Sequence, residues 1–254
     1  MKKFLKSIGL CIGLIILNNL MIGVISFIFA AFAKNPNDFD QNLYILVFIG
    51  DLITLILVHL MFLGYDKKIL SKELFKKISM QNIINIILFG IGCSVVLLIL
   101  TGTLSRIFPE YESVANELQL ASNSWISLII TIFLAPICEE ILFRYVIFGY
   151  LKERYSLIIA IIGQALAFGL AHGNIVQGIY TFIVGIALAL IYIYSGSLVG
   201  SIVLHITFNM CGTLIPELGA INPMMLYMVI ILGIVCLVIS IFRILKKYES
   251  FLYE

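Results

Sequence analysis

Two adjacent carboxylates and an arginine stand inside an apolar run, in "PICEEILFR" at residues 136–144. A charge near the middle of a bilayer costs roughly 2.5–3.5 kcal/mol on insertion scales, so three together call for a purpose. Further along, "FGLAH" (168–172) ends in His172, with Asn174 close behind, and "HITFN" (205–209) holds His205 and Asn209. Glutamate, two histidines and an amide are the side chains that activate water. A carboxylate or imidazole takes the proton, and His and Asn donors hold the oxyanion. The same glutamate and histidines, Glu139, His172 and His205, are also zinc-ligand types, although the HExxH spacing is absent. Cofactor use therefore stays open between none and a single zinc ion.

Helix geometry sorts the first group. At ~100° per residue, Arg144 lies about 40° from Glu140 and about 140° from Glu139. Glu140 and Arg144 form an i,i+4 pair with the acid first, the favourable order. Glu139 has no partner on its own helix and is expected to face the histidines. Phe168 shares a helix face with His172, and His205 shares one with Asn209. By contrast, His59 has no polar neighbour at helical spacing and reads as an interhelical hydrogen-bonding residue. Asn18, Asn19, Asp51 and Asn85 are scattered over the other apolar runs.

These residues need elements that place them inside a membrane. The chain is 62% hydrophobic and 12% charged, whereas a soluble domain is about 25% charged. A soluble enzyme is excluded on this balance; the net charge of +2, with the basic residues in loops between apolar runs, gives no sign of a nucleic-acid partner, and none is expected. Apolar stretches near the ~20-residue spanning length predict an all-α polytopic bundle of about eight spans: 7–33, 43–64, 83–101, 124–147, 156–172, 176–194, 198–215 and 224–243. The apolar run from Ile8 to Ala33 is longer than a signal-peptide core, so an uncleaved first span is expected.

Lys2, Lys3, Lys6, Lys67, Lys68, Lys72, Lys76, Lys77, Lys152, Arg154, Arg243, Lys246 and Lys247 then fall on one side, and Lys34 and Arg106 on the other. The rule that cytoplasmic loops are rich in Lys and Arg puts both termini in the cytoplasm. Two further helices are expected off the membrane axis. One is a basic amphipathic helix over 66–80 on the inner leaflet. The other is an acidic one over 109–120. Cys11, Cys93, Cys138, Cys211 and Cys236 lie in apolar runs without CxxC spacing and read as buried filler.

Three motifs in order on separate spans, EExxxR ("EEILFR"), FxxxH ("FGLAH") and HxxxN ("HITFN"), resemble the CPBP family of CAAX proteases and bacteriocin-processing enzymes, also called Abi. "GSLVGSIVLHITFN" (196–209) is similar to that family's run into its third motif. The resemblance covers roughly residues 120–215. It divides a single membrane domain, 1–254, into N-terminal spans and surface helices (1–119), a catalytic core (120–215) and a last span with a basic tail (216–254).

The resemblance implies an intramembrane endopeptidase, with Glu139 and His172 activating water and His205 and Asn209 supporting the oxyanion. It implies structural roles for Glu140 and Arg144, with Phe168 beside them. Some relatives trim prenylated tails, and bacterial ones are linked to peptide processing and bacteriocin self-immunity. Both metal-dependent and metal-free glutamate mechanisms are argued for the family. The expected partners are a peptide substrate and the lipid bilayer, in a bacterial cell membrane. The alternatives are a non-catalytic immunity or regulatory scaffold and, lacking the repeat symmetry that transporters show, a transporter.

Overall fold

The computed structural model describes residues 2–33, 35, 37–63, 74–122 and 124–252. Among them the protein is all-helical: α1 (Lys2–Phe32), α2 (Asn37–Leu63), α3 (Met80–Ile107), α4 (Tyr111–Ser122), α5 (Trp125–Lys152), α6 (Leu157–Ala171), α7 (Ile175–Ser195), α8 (Leu198–Ile221) and α9 (Pro223–Leu252). Seven of these are long and apolar enough to cross a membrane, so the protein is a multi-pass membrane helical bundle. Large apolar side chains such as Phe27, Phe32, Trp125 and Ile158 project outward, where a bilayer replaces water as the apolar solvent.

The sequence differs from this in two places. The fifth expected span is α6, whose 15 residues reach about 22 Å at ~1.5 Å per residue. That is short of the ~30 Å hydrocarbon thickness. The expected surface helix over 66–80 lies mostly outside the described residues. At its described end Leu74 and Phe75 form a turn, and the chain stays non-helical up to Ser79, whose hydroxyl caps α3 by accepting from the Asn82 amide at 3.2 Å. The acidic helix appears as α4.

α5 is the centre. Half of its most apolar window is buried, against 6% for α1, and it packs against α2, α6, α7 and α8. Small residues bring its neighbours close, the way membrane helices associate without a hydrophobic driving force. On α6, a Cβ at Gly169 would meet the Gly178 carbonyl of α7 at 2.7 Å. The α6–α7 turn is left-handed at Gly173 (φ 68°), and the Asn174 side chain caps α7 by accepting from the Val176 and Gln177 amides at 2.9 and 3.2 Å. The Asn174 oxygen is thereby used in a cap.

One end of the bundle gathers the cations. Lys3 donates to the Arg154 carbonyl, and the Tyr155 hydroxyl bonds Ser7 at 3.0 Å. The Leu198 amide donates to Leu74 O at 2.8 Å. Arg243 donates to Asn85 at 3.2 Å. The first turn of α1, the α5–α6 and α7–α8 turns and the cationic stretch of α9 share that end, and Arg106 lies toward the far end of α3.

Candidate active site

The site is built on α5, which is not a regular α-helix. Two stretches, Ile130–Leu134 and Ile141–Phe148, take the wider π form, which occurs frequently at functional sites. The first has a visible cause. Ala135 donates its N–H to Ile130 O, five residues back. In that register the next carbonyl, Thr131 O, should receive the N–H of residue 136. That residue is proline and has none. A buried carbonyl without a partner is costly, and Asn209 of α8 supplies the donor: its Nδ2 lies 2.8 Å from Thr131 O. The third-motif asparagine thus ties α8 to the proline break, with its second amide hydrogen left over.

Below the proline, Glu139 and Glu140 diverge as the sequence requires. Glu140 is fully buried, and its Oε2 is 2.9 Å from Arg144 Nε. Arg144 Nη1 donates to Gln164 Oε1 at 3.3 Å, and its guanidinium lies 4.5 Å from the Phe168 ring centroid. Gln164 donates in turn to the Gly185 and Ile161 carbonyls at 2.8 and 3.1 Å. A charged pair with no water around it is thus supported by an amide, a ring and backbone on α6 and α7. Buried ion pairs need such support to offset desolvation.

The unexpected contact is on the other oxygen. Glu140 Oε1 is 2.8 Å from His205 Nδ1, while His205 Nε2 is 3.6 Å from Glu139 Oε2. His205 therefore bridges the two glutamates. Glu140 holds an ion pair and also fixes the ring of a motif histidine, so its role is wider than the purely structural one the resemblance implies.

His172 caps the end of α6. Its Nδ1 is 2.8 Å from Phe168 O. A carbonyl only accepts, so Nδ1 carries the proton and Nε2 keeps its lone pair in the neutral ring. Phe168 orients both histidines. Its ring is edge-on to His172 (centroids 4.9 Å) and to His205 (5.7 Å).

Glu139, with 28% of its side chain exposed, lines a cavity of about 170 Å³ together with His172. The remaining wall comes from α1 and α2: Asn18, Asn19 and Asp51 among apolar residues. Thus Glu139 and His172 share a cavity, His205 reaches Glu139 from behind, and Asn209 sits one turn further along α8, held at Thr131.

The sequence reading left out Gln164 and gave Asp51 no place in the site. Both were visible as lone polar residues within apolar runs, Gln164 two turns before His172. The buried Nδ1 of His59 has no hydrogen-bond partner among the described residues.

Both histidines have their Nδ1 hydrogen-bonded, as metal ligands also do. Yet no group of three or more His, Cys, Asp or Glu side chains among the described residues is gathered as a metal site requires. Glu139, His172 and His205 as placed do not fit a zinc ion, and no step is routed through one.

A family model described as type II CAAX prenyl endopeptidase Rce1-like matches residues 121–211. This stretch is similar to the core of that protease family. It runs from the turn before α5 to Cys211 and holds every motif residue, from Glu139 to Asn209. Asn18 and Asp51, on the opposite cavity wall, lie outside it. No curated protein and no solved structure gives a significant match to the chain.

Proposed function

We propose that the protein is an intramembrane endopeptidase that hydrolyses short peptides or peptide tails near the cytoplasmic face, using water activated by Glu139 and His172. The observation that carries this reading is their shared cavity, both residues belonging to the stretch that matches a protease family.

The Glu139 carboxylate accepts a proton from water while the oxygen attacks the scissile carbonyl. His172 Nε2, its lone pair free because Nδ1–H is bound to Phe168 O, positions that water. The tetrahedral oxyanion then needs donors. In its imidazolium form His205 donates from Nδ1 to Glu140 and has Nε2–H for the oxyanion, and Asn209 contributes the amide hydrogen not bound to Thr131 O. As the C–N bond breaks, Glu139 returns the proton to the leaving amine, so atoms and charge balance.

The cation-rich end of the bundle is read as cytoplasmic, which places both termini there. His205, seven residues beyond Leu198, is then about 10 Å from that end at ~1.5 Å per residue. Reporter fusions at residues 1 and 254 test the orientation, and an external signal at either would reverse it.

The chemistry is tested with purified protein in lipid nanodiscs and quenched fluorescent peptides. Glu139→Gln and His172→Ala should each lower kcat/KM by about 10²-fold or more, with melting temperatures close to that of the parent protein. Undiminished cleavage by Glu139→Gln would remove the reading. Peptide binding by the unaltered protein with no hydrolysis would favour a scaffold or immunity role instead.

A further inference from the structure

Among the described residues, the cavity is lined by two carboxylates and one imidazole, His172, with no lysine or arginine to balance them. Asp51 of α2 is 8% exposed and lines the same cavity as Glu139. Asp51 Oδ1 accepts from Asn18 Nδ2 at 3.0 Å, which holds the carboxylate in place. Among the described residues, the ion-pair contact of Glu139 is the 3.6 Å approach of His205. No Lys or Arg lines the cavity, and the arginine of α5 is engaged by Glu140. Asn19 donates its Nδ2 to Ile15 O, which leaves its carbonyl oxygen as a further acceptor.

Carboxylates in an apolar-walled cavity are costly as anions, and either a proton or a cation relieves that cost. The walls fit a cation of suitable shape. Ile22, Val47, Leu55 and Leu142 would cover a methylene stem while the polar end receives the charge, the division by which Lys and Arg side chains bury themselves. The volume suits one side chain, since a cavity of ~150 Å³ holds a benzene ring.

We propose that Asp51, held by Asn18, forms with Glu139 a cation-accepting subsite, so that the substrates are peptides with a Lys or Arg side chain beside the bond that is cut. This deepens the peptidase reading and rests on it. Asp51 is a specificity residue, and its contribution comes from α2, outside the family-matched core.

The test uses full-length protein in nanodiscs and a neutral apolar peptide into which one Lys, norleucine or Glu is placed at each position in turn. Both binding, by fluorescence anisotropy, and cleavage are read. At one or two positions Lys should improve binding and kcat/KM about tenfold or more over norleucine, as a charge-assisted contact would, and Glu should weaken both. In Asp51→Asn the Lys-to-norleucine ratio should collapse toward one, and Asp51→Glu should keep most of it, which also controls for folding. No advantage for Lys in the unaltered protein, or an undiminished one in Asp51→Asn, overturns the inference. Cleavage without charge preference would leave the peptidase standing and remove the subsite. Lys-selective binding without cleavage would do the reverse.

Discussion

His205 Nδ1 stands 2.8 Å from Glu140 Oε1, and the opposite edge of its ring faces Glu139 at 3.6 Å. One histidine from α8 thus separates two consecutive glutamates of α5 and gives them different work. Glu140, bound on its two oxygens by His205 and Arg144, is held in place. Glu139 keeps access to the cavity.

The two glutamates should therefore fail in different ways. Glu139→Gln should melt close to the parent and lose cleavage. Glu140→Gln leaves Arg144 buried without its anion, a loss of about 3–5 kcal/mol in comparable pairs. Adding Arg144→Met removes the stranded charge and should recover part of that stability. It should not recover activity, because the His205 ring still lacks its carboxylate. Melting curves and peptide cleavage on the same four proteins check this. Restored activity in the double variant would reduce Glu140 to a structural role alone.

Much of this was legible in sequence, and the reasons are local. The Glu140–Arg144 pair follows from four-residue spacing alone, and the sharing of one face by Phe168 and His172 follows in the same way. The His205–Glu140 bond was not readable, because it depends on the rotation of α8 against α5, which no spacing within either helix specifies. Nor was the role of Asn209. It depends on a π register that a uniform ~100° per residue conceals. Asp51 was visible as an intramembrane acid, but its place beside Glu139 depends on how α2 packs. The shortness of α6 was legible too, because the apolar run over 156–172 is already below spanning length.

Gln164 should be more than filler. It connects Arg144 to α7 through the Gly185 carbonyl and is fully buried. Gln164→Leu removes those bonds and leaves the Gly185 carbonyl without that donor, at a cost of about 1–3 kcal/mol. Its effect should shrink in an Arg144→Met background, because the two share one network. A double-mutant cycle on melting data checks the coupling, and strict additivity would separate Gln164 from the ion pair.

The close approach of α6 and α7 should be equally sensitive. A methyl group at Gly169 would come within 2.7 Å of the Gly178 carbonyl, so Gly169→Ala forces the helices apart or distorts them, with about 1–3 kcal/mol of overpacking. Because Phe168 and His172 lie on the same end of α6, activity should fall along with stability. A charge-neutral control, Gly149→Ala, meets nothing within 4 Å and should change neither. Unaltered melting in Gly169→Ala would show that α6 has room to shift.

The proline break gives the most discriminating experiment. Pro136 deprives Thr131 O of the N–H that the π register would send to it, and Asn209 replaces that donor at 2.8 Å. Asn209→Leu should therefore cost about 1–3 kcal/mol through the orphaned carbonyl. Pro136→Ala restores a backbone N–H at the required position. In that background the stability cost of Asn209→Leu should fall by about 1 kcal/mol or more, a coupling well above the ~0.3–0.5 kcal/mol scatter of independent sites. Activity should behave otherwise. If the second amide hydrogen of Asn209 serves the oxyanion, the double variant regains stability and stays slow. The readouts are melting temperature and single-turnover cleavage across the four combinations. Recovery of both would make Asn209 a positioning residue only, and recovery of neither would detach it from the proline break.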